Sequence, residues 1–406
     1  MAERIVITIY CLCHGILAVF MIQSREYVGE AKSMAILKVS NIVIILNLII
    51  IVVGYILLYC YYLKTKDKKT KFKVIVEKKK FHIFFLVLLC FSFLFFLLTD
   101  VGKAGTNNRS TFSFLFSMFS IKALFPFYYF LGREKKIIYV FNIVIFVLYR
   151  LLQGWSGFLF DIFIYELFLY CSKHKDKIKF KNIKIFFYSF LALLFSGVIY
   201  QYIYGLKNYI RYEVSKINFL TFRQGLIEIT NRLSFFPQAT AALQNQEIIK
   251  SIYINYSPMP LKEIIAFFRP IMPSFIMTNK IFLSINAIAK QSMVMYPIEN
   301  TSLNIGIISY AISLFNADLM AGIIWIILLF VSIKAIRIII KSLEEYQGQL
   351  DILYFILLIN VYNIGSLETV IASNYIPLLF MFPVLWFLKI FKIYRVKINN
   401  REGVIQ

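Results

Sequence analysis

The chain has 406 residues, of which 60% are hydrophobic, 18% aromatic and only 16% charged, with a mean hydropathy of +0.73. A soluble domain carries about 25% charged residues and cannot bury such an apolar excess, so a water-soluble globular fold is excluded and the bilayer is the solvent for most of the chain. The net charge of +23, from 44 Lys and Arg against 21 Asp and Glu, would point to nucleic acid in a soluble protein. Here the densest basic segments (64–80, 132–136, 172–184, 334–341 and the tail from 389) alternate with apolar runs. That is the pattern of cytoplasmic loops, and no nucleic-acid partner is expected.

In chain order, the run 5–22 lacks a small-residue cleavage site and reads as a retained signal anchor. A second span over 35–63 ends at the lysine block. Residues 81–98 cross outward, 99–111 form a Gly/Asn-rich outer turn, and 112–131 return to the basic segment 132–136. The stretch 137–171 lies between two basic segments and must be a hairpin of two helices, with Gln153 and Gly154 as its turn. Residues 183–204 cross outward, and the next convincing span is 319–340.

The intervening segment holds six of the nine prolines and short amphipathic stretches at 239–251, 261–268 and 281–291, which predicts a folded outer cap of short helices. The apolar stretch 303–315 is placed on the outer surface, and 350–365 and 374–394 are the last two spans. The expected fold is therefore all-α and polytopic, with about ten membrane helices. It divides into a bundle of seven spans (1–204), an extracytoplasmic loop domain (205–318) and three further spans with a cytoplasmic tail (319–406). Both termini fall on the cytoplasmic side by parity.

The cysteines (Cys11, Cys13, Cys60, Cys90, Cys171) lie in or at the ends of apolar runs, and His14, His82 and His174 are scattered. No disulfide framework, metal site or cofactor is expected. No phosphate-binding glycine loop, paired-carboxylate spacing or Ser/His/Asp set is recognisable, so a hydrolase or ATPase has no support.

Residues 205–302 carry ten Lys and Arg, among them Arg211, Arg223, Arg232, Arg269 and Lys280, against five Glu. Topology does not require that excess. Either these are solvated or headgroup-facing charges, or they hold an anionic ligand such as a lipid diphosphate, which guanidinium forks match well. Within the spans, Lys122 either pairs with Asp161 or Glu166 or lines a cavity, because a lone charge in hydrocarbon costs several kcal/mol. Arg150, beside the hairpin turn, is placed at the outer mouth. Tyr253, Tyr256 and Tyr296 either stack on sugars or pack the cap.

Four segments resemble landmarks of the Wzy-type O-antigen polymerases: YRLLQGWSGFLFDIF from Tyr149, NRLSFF from Asn231, FRPIMPSFIMTNK from Phe268 and NTSLNIGIISYAISLF from Asn300. The likeness covers roughly 149–330. It departs from the family where Pro273 is followed by Ser274 rather than by an arginine.

The resemblance implies a GT-C-like membrane glycosyltransferase that joins undecaprenyl-diphosphate-linked repeat units without nucleotide sugar or metal. It also implies a lipid-linked glycan donor and acceptor, surrounding membrane lipids, and a chain-length regulator and a flippase as companions. On this basis Arg232, Arg223, Arg269 and Lys280 contact the diphosphate. Arg150 and Arg211 support substrate, with Tyr253 and Tyr256 against sugars, and Glu228 or Glu299 is the base. The related ligase carries a histidine in its outer loop, and none stands in 205–302 here. A flippase or other transporter would show two similar halves, and no internal repeat is seen.

Overall fold

The computed structural model describes residues 2–31, 36–66, 72–103, 110, 112–173, 182–212, 217–256, 262–268, 284–294, 303–343 and 350–395. Among them seven helical stretches are long and apolar enough to cross a membrane: Ala2–Ser24, Asn41–Lys66, Lys78–Thr99, Ser113–Leu131, Lys184–Leu206, Leu319–Ser342 and Glu368–Phe387. The first three are α1, α2 and α3. The fourth is broken at Phe119 and Ser120 into α4 (Ser113–Met118) and α5 (Ile121–Leu131). The predicted hairpin is α6 (Ile137–Leu152) and α7 (Gly157–Lys173), and Gly154 makes the turn at φ +78.

Helix α8 (Asn182–Tyr212) has 31 residues, which at 1.5 Å per residue is about 46 Å and outruns the hydrocarbon core. The shorter helices α9 (Phe222–Leu233), α10 (Phe236–Gln244), α11 (Gln246–Tyr256), α12 (Lys262–Phe268), α13 (Ile285–Val294) and α14 (Gly306–Ala317) follow. They lead into α15 (Leu319–Ser342), α16 (Asp351–Ile364), a π-helical turn (Glu368–Ala372) and α17 (Ile376–Phe387).

The basic segments that are described share one face. Strands β1 (Phe72–Val76) and β2 (Phe391–Arg395) pair antiparallel from Phe72↔Arg395 to Val76↔Phe391, joining the ends of α2 and α17 to the start of α3. Val74 and Val76 point inward and are buried, as strand alternation requires. Tyr62 donates to Glu3 at 3.2 Å, Thr65 meets the Tyr354 hydroxyl at 3.2 Å, and Lys341 pairs with Asp351 at 2.7 Å. These contacts put the start of α1, the end of α2, the end of α15 and the start of α16 at one level. At the other end Trp155 Nε1 donates to the Gly102 carbonyl at 2.9 Å, and Gln244 accepts from Tyr27 and from the Lys38 amide at 3.1 and 2.9 Å.

In the middle of the chain, part of the predicted cap packs between the long apolar helices. The predicted helix over 239–251 is two helices that meet at Asn245, and the first, α10, is buried from Phe236 to Ala242. Thr240 accepts from Asn47 of α2 at 2.7 Å, and Ser234 bonds His14 at 2.7 Å. His14 is ten residues from the C-terminal end of α1, about 15 Å along the helix. Residues 233–244 therefore dip between the spans. Such a segment is tolerated at that depth only when protein surrounds it and its backbone is bonded internally, as in a helix.

Helix α9 follows α8 closely because two glycines meet: a Cβ on Gly225 would stand 2.6 Å from the carbonyl oxygen of Gly197. Gly225→Ala forces the helices apart and is expected to cost about 1–3 kcal/mol, as overpacking does. Thermal unfolding of the purified protein should show the loss. Gly157→Ala, where an added Cβ meets nothing within 4 Å, should leave the midpoint nearly unchanged.

Candidate functional site

A cleft of roughly 420 Å³ opens between α1 and α9, at the end of the bundle away from the two-stranded sheet, lined by Leu17, Phe20, Val28, Gly29, Ile227, Glu228, Asn231 and Arg232. Its position follows from how α9 is held. Thr221 and Gln224 form a reciprocal capping box, the Gln224 amide donating to Thr221 Oγ1 at 3.3 Å and the Thr221 amide to Gln224 Oε1 at 2.9 Å. Gly225, Ile229, Thr230 and Leu233 face the bundle and are buried. Glu228, Asn231 and Arg232 are turned to the cleft, with Glu228 and Arg232 one helical turn apart.

Arg232 also hydrogen-bonds Tyr200 of α8, which lies close to Glu228. Asn231 Oδ1 is buried and has no hydrogen-bond partner among the described residues. Gly29, at φ +66, brings the backbone against that side chain: a Cβ there would be 2.9 Å from Asn231 Oδ1.

The end of α9 is anchored by polar contacts inside the bundle. Ser234 Oγ meets His14 Nδ1 at 2.7 Å, His14 Nε2 meets the Tyr55 hydroxyl at 3.1 Å, and Tyr55 donates to Asn363 Oδ1 at 2.5 Å. The two hydroxyls satisfy both nitrogens of a fully buried imidazole. The cleft thus joins apolar walls at the depth of Leu17 and Phe20 to one guanidinium, one carboxylate and one free amide oxygen. It suits an amphiphile with an apolar tail and an anionic, hydrogen-bonding head.

Of the predicted site residues, the structure brings together Arg232 and Glu228. Arg223 is exposed at the other end of α9, outside the cleft lining. Arg150, at the end of α6, donates to Gln153 Oε1 at 2.6 Å and stands over the Trp155 ring at 5.7 Å. Tyr253 corrects the expectation of a sugar platform: it is 3% exposed, with no free ring face. Burial, with Glu263 and Asp318 nearby, holds its hydroxyl well above the usual phenol range. Arg211 and Tyr256 lie on α8 and α11, and their side chains fall outside what is described, as do Arg269, Lys280, Tyr296 and Glu299 altogether. Glu166 is not the partner of Lys122: Arg133 holds it through two bonds of 2.6 and 3.2 Å, leaving Asp161 beside Lys122.

A second group of polar residues was not foreseen. Glu263 of α12 and Glu368 of the π-helical turn line a small pocket with Phe267, Ser284, Tyr310, Ser366 and Leu367, and the Tyr310 hydroxyl bonds Glu263. Its volume of about 10 Å³ holds one water rather than a substrate. The signal in the sequence was Glu368, the lone charged residue in the stretch 352–388.

No protein-family model, no curated protein and no solved structure matches the chain.

Tyr253→Ala is expected to lower stability by about 3–5 kcal/mol, as for a deleted buried aromatic. Paired measurements of unfolding and activity check this. A variant of normal stability with lost activity would return the ring to a substrate-facing role.

Proposed function

We propose that this chain is a glycosyltransferase that polymerises undecaprenyl-diphosphate-linked oligosaccharide repeat units into O-antigen or a similar surface polysaccharide at the outer side of the bacterial cytoplasmic membrane. The observation that carries the reading is the cleft in which Arg232 and Glu228 meet apolar walls from α1. In this reading α6, α7 and α16 also cross, giving about ten spans in a GT-C-like arrangement. The face that gathers Lys66, Lys78 and Lys341 is cytoplasmic, together with both termini.

The polyprenyl tail lies along Leu17 and Phe20 in the outer leaflet, and Arg232 faces the diphosphate. Glu228 takes the proton of the acceptor hydroxyl as that oxygen bonds to the donor's anomeric carbon. The bond from that carbon to the diphosphate breaks, and its electron pair leaves on the diphosphate oxygen. Negative charge grows there as the bond lengthens, so a fixed guanidinium lowers the barrier more than it tightens ground-state binding. Arg269, Lys280 and Glu299 remain candidates for the same diphosphate or for the base.

Purified protein given a lipid-linked repeat unit is expected to produce a ladder of longer glycans without added nucleotide; product that stays at one unit overturns the proposal. Arg232→Ala should abolish chain growth while the protein reaches the membrane at normal level, and Arg223→Ala should keep most of it. Full-length glycan from Arg232→Ala would remove that residue from the reaction. In a cysteine-free background, a cysteine at Arg223 should react with an impermeant maleimide in intact cells and one at Lys73 only after permeabilisation. The reverse pattern would put the cleft in the cytosol.

A further inference from the structure

Three charged side chains, Lys122, Arg150 and Asp161, lie within electrostatic range of one another in the outer half of the N-terminal bundle, with no direct ion pair between them, and the cleft does not use them. Phe125 of α5 stacks on Phe146 of α6 at 3.7 Å, and Phe146 meets Phe158 of α7 edge-on at 5.8 Å. Lys122 stands one turn before Phe125 and Arg150 one turn after Phe146. Because α5 runs inward and α6 outward, both lie one turn nearer the outer face. Asp161 lies between Phe158 and Tyr165, and Tyr165 touches Tyr129 of α5 at 5.3 Å. The three charges act on one another.

Two cations against one carboxylate leave an excess positive charge where hydrocarbon would penalise it by several kcal/mol. The surroundings are arranged for an anion rather than for closure. Lys122 is exposed although it sits in the middle of a span. The span is interrupted beside it, and Ser120 caps the fresh N-terminus of α5 by accepting from the Ala123 amide at 3.4 Å, so the positive end of a helix dipole points the same way. Arg150 is fixed by Gln153 and Trp155, yet its Nε is buried and has no partner among the described residues. Leu148, Leu152 and Trp155 beside it are exposed apolar side chains at the level of the outer leaflet.

We infer that Lys122 and Arg150, offset by Asp161, form a phosphate-binding site for the head of a polyprenyl-type lipid, separate from the Arg232 cleft. A polymerase consumes two lipid-linked chains in each step, and two cationic sites would hold one each. That role rests on the function proposed above, whereas the binding itself does not.

The test uses the full chain in detergent carrying Arg232→Ala, with farnesyl diphosphate as the probe. This protein is expected to bind it, with Lys122→Gln weakening binding roughly tenfold, as loss of one charge-assisted contact does. Asp161→Asn should tighten binding several-fold, because it removes the carboxylate that competes for both cations. A purely structural ion pair predicts no change in affinity from Asp161→Asn, and that result overturns the site even if Lys122→Gln does not fold. No binding to the Arg232→Ala protein also overturns it. Inorganic pyrophosphate competing as well as farnesyl diphosphate would assign a free ion in place of a lipid, and farnesol competing equally would show that the phosphate is not read; either excludes the lipid-phosphate site. Probe binding to the Arg232→Ala protein together with no glycan ladder from the unsubstituted protein counts against the polymerase alone.

Discussion

The polar chain from Ser234 through His14 and Tyr55 to Asn363 ties the segment after α9 into the middle of the bundle. In an apolar interior an unmade hydrogen bond costs more than a made one returns, so four side chains on four separate elements must be placed together or not at all. Arg232 stands two residues from the head of that chain. Its register on α9, and with it the shape of the cleft, is set by a contact about 15 Å from the C-terminal end of α1. The glycine contact between Gly197 and Gly225 fixes the same helix from the side, so position and depth are constrained independently.

Charge is segregated along the axis of the molecule. The basic face is bound by contacts between chain ends: Glu3 with Tyr62, Lys341 with Asp351, and Arg133 with Glu166. Exposed pairs such as Arg133 and Glu166 contribute little to stability in water. The more enclosed pair of Lys341 and Asp351 acts mainly in register, aligning α15 with α16. Toward the other end, among the described residues, Arg232 lines a cleft, and Lys122, Arg150 and Asp161 lie within electrostatic range of one another on three helices. Aromatic contacts fill the space between, with Phe85 stacked on Tyr128 at 3.8 Å and Phe125 on Phe146 at 3.7 Å.

The spans were legible because hydrocarbon imposes one simple rule, a run of apolar residues of fixed length, and the lysine blocks divided them. The turn at Gly154 was legible for the same reason: two basic segments had to be joined by a hairpin with a breaker in its middle. The descent of α10 was not. FPQATAALQ reads as an amphipathic surface piece, and what buries it is a set of partners more than a hundred residues away in sequence, Asn47 and His14. Arg232 and Glu228 were named from the resemblance and the cation excess of the loop, and the helix then puts them on one face because they stand four residues apart. Their cleft could not be named, since half of its lining comes from α1 and the segment just after it. Which of its two readings Tyr253 follows could not be told beforehand, because composition does not reveal which face of α11 turns inward; its ring is 3% exposed and packs.

The two-stranded sheet joins Phe72 to Arg395 and so spans nearly the whole chain. Strand β1 leaves the ribosome early and must wait, with its bonding edge open, until the last helix has been inserted. Assembly of this bundle therefore ends with a clasp. A polypeptide released before β2 leaves Val74 and Val76 uncovered, while one that reaches Arg395 conceals them, so the last pairing to form is also the one that ties the two ends of the bundle together.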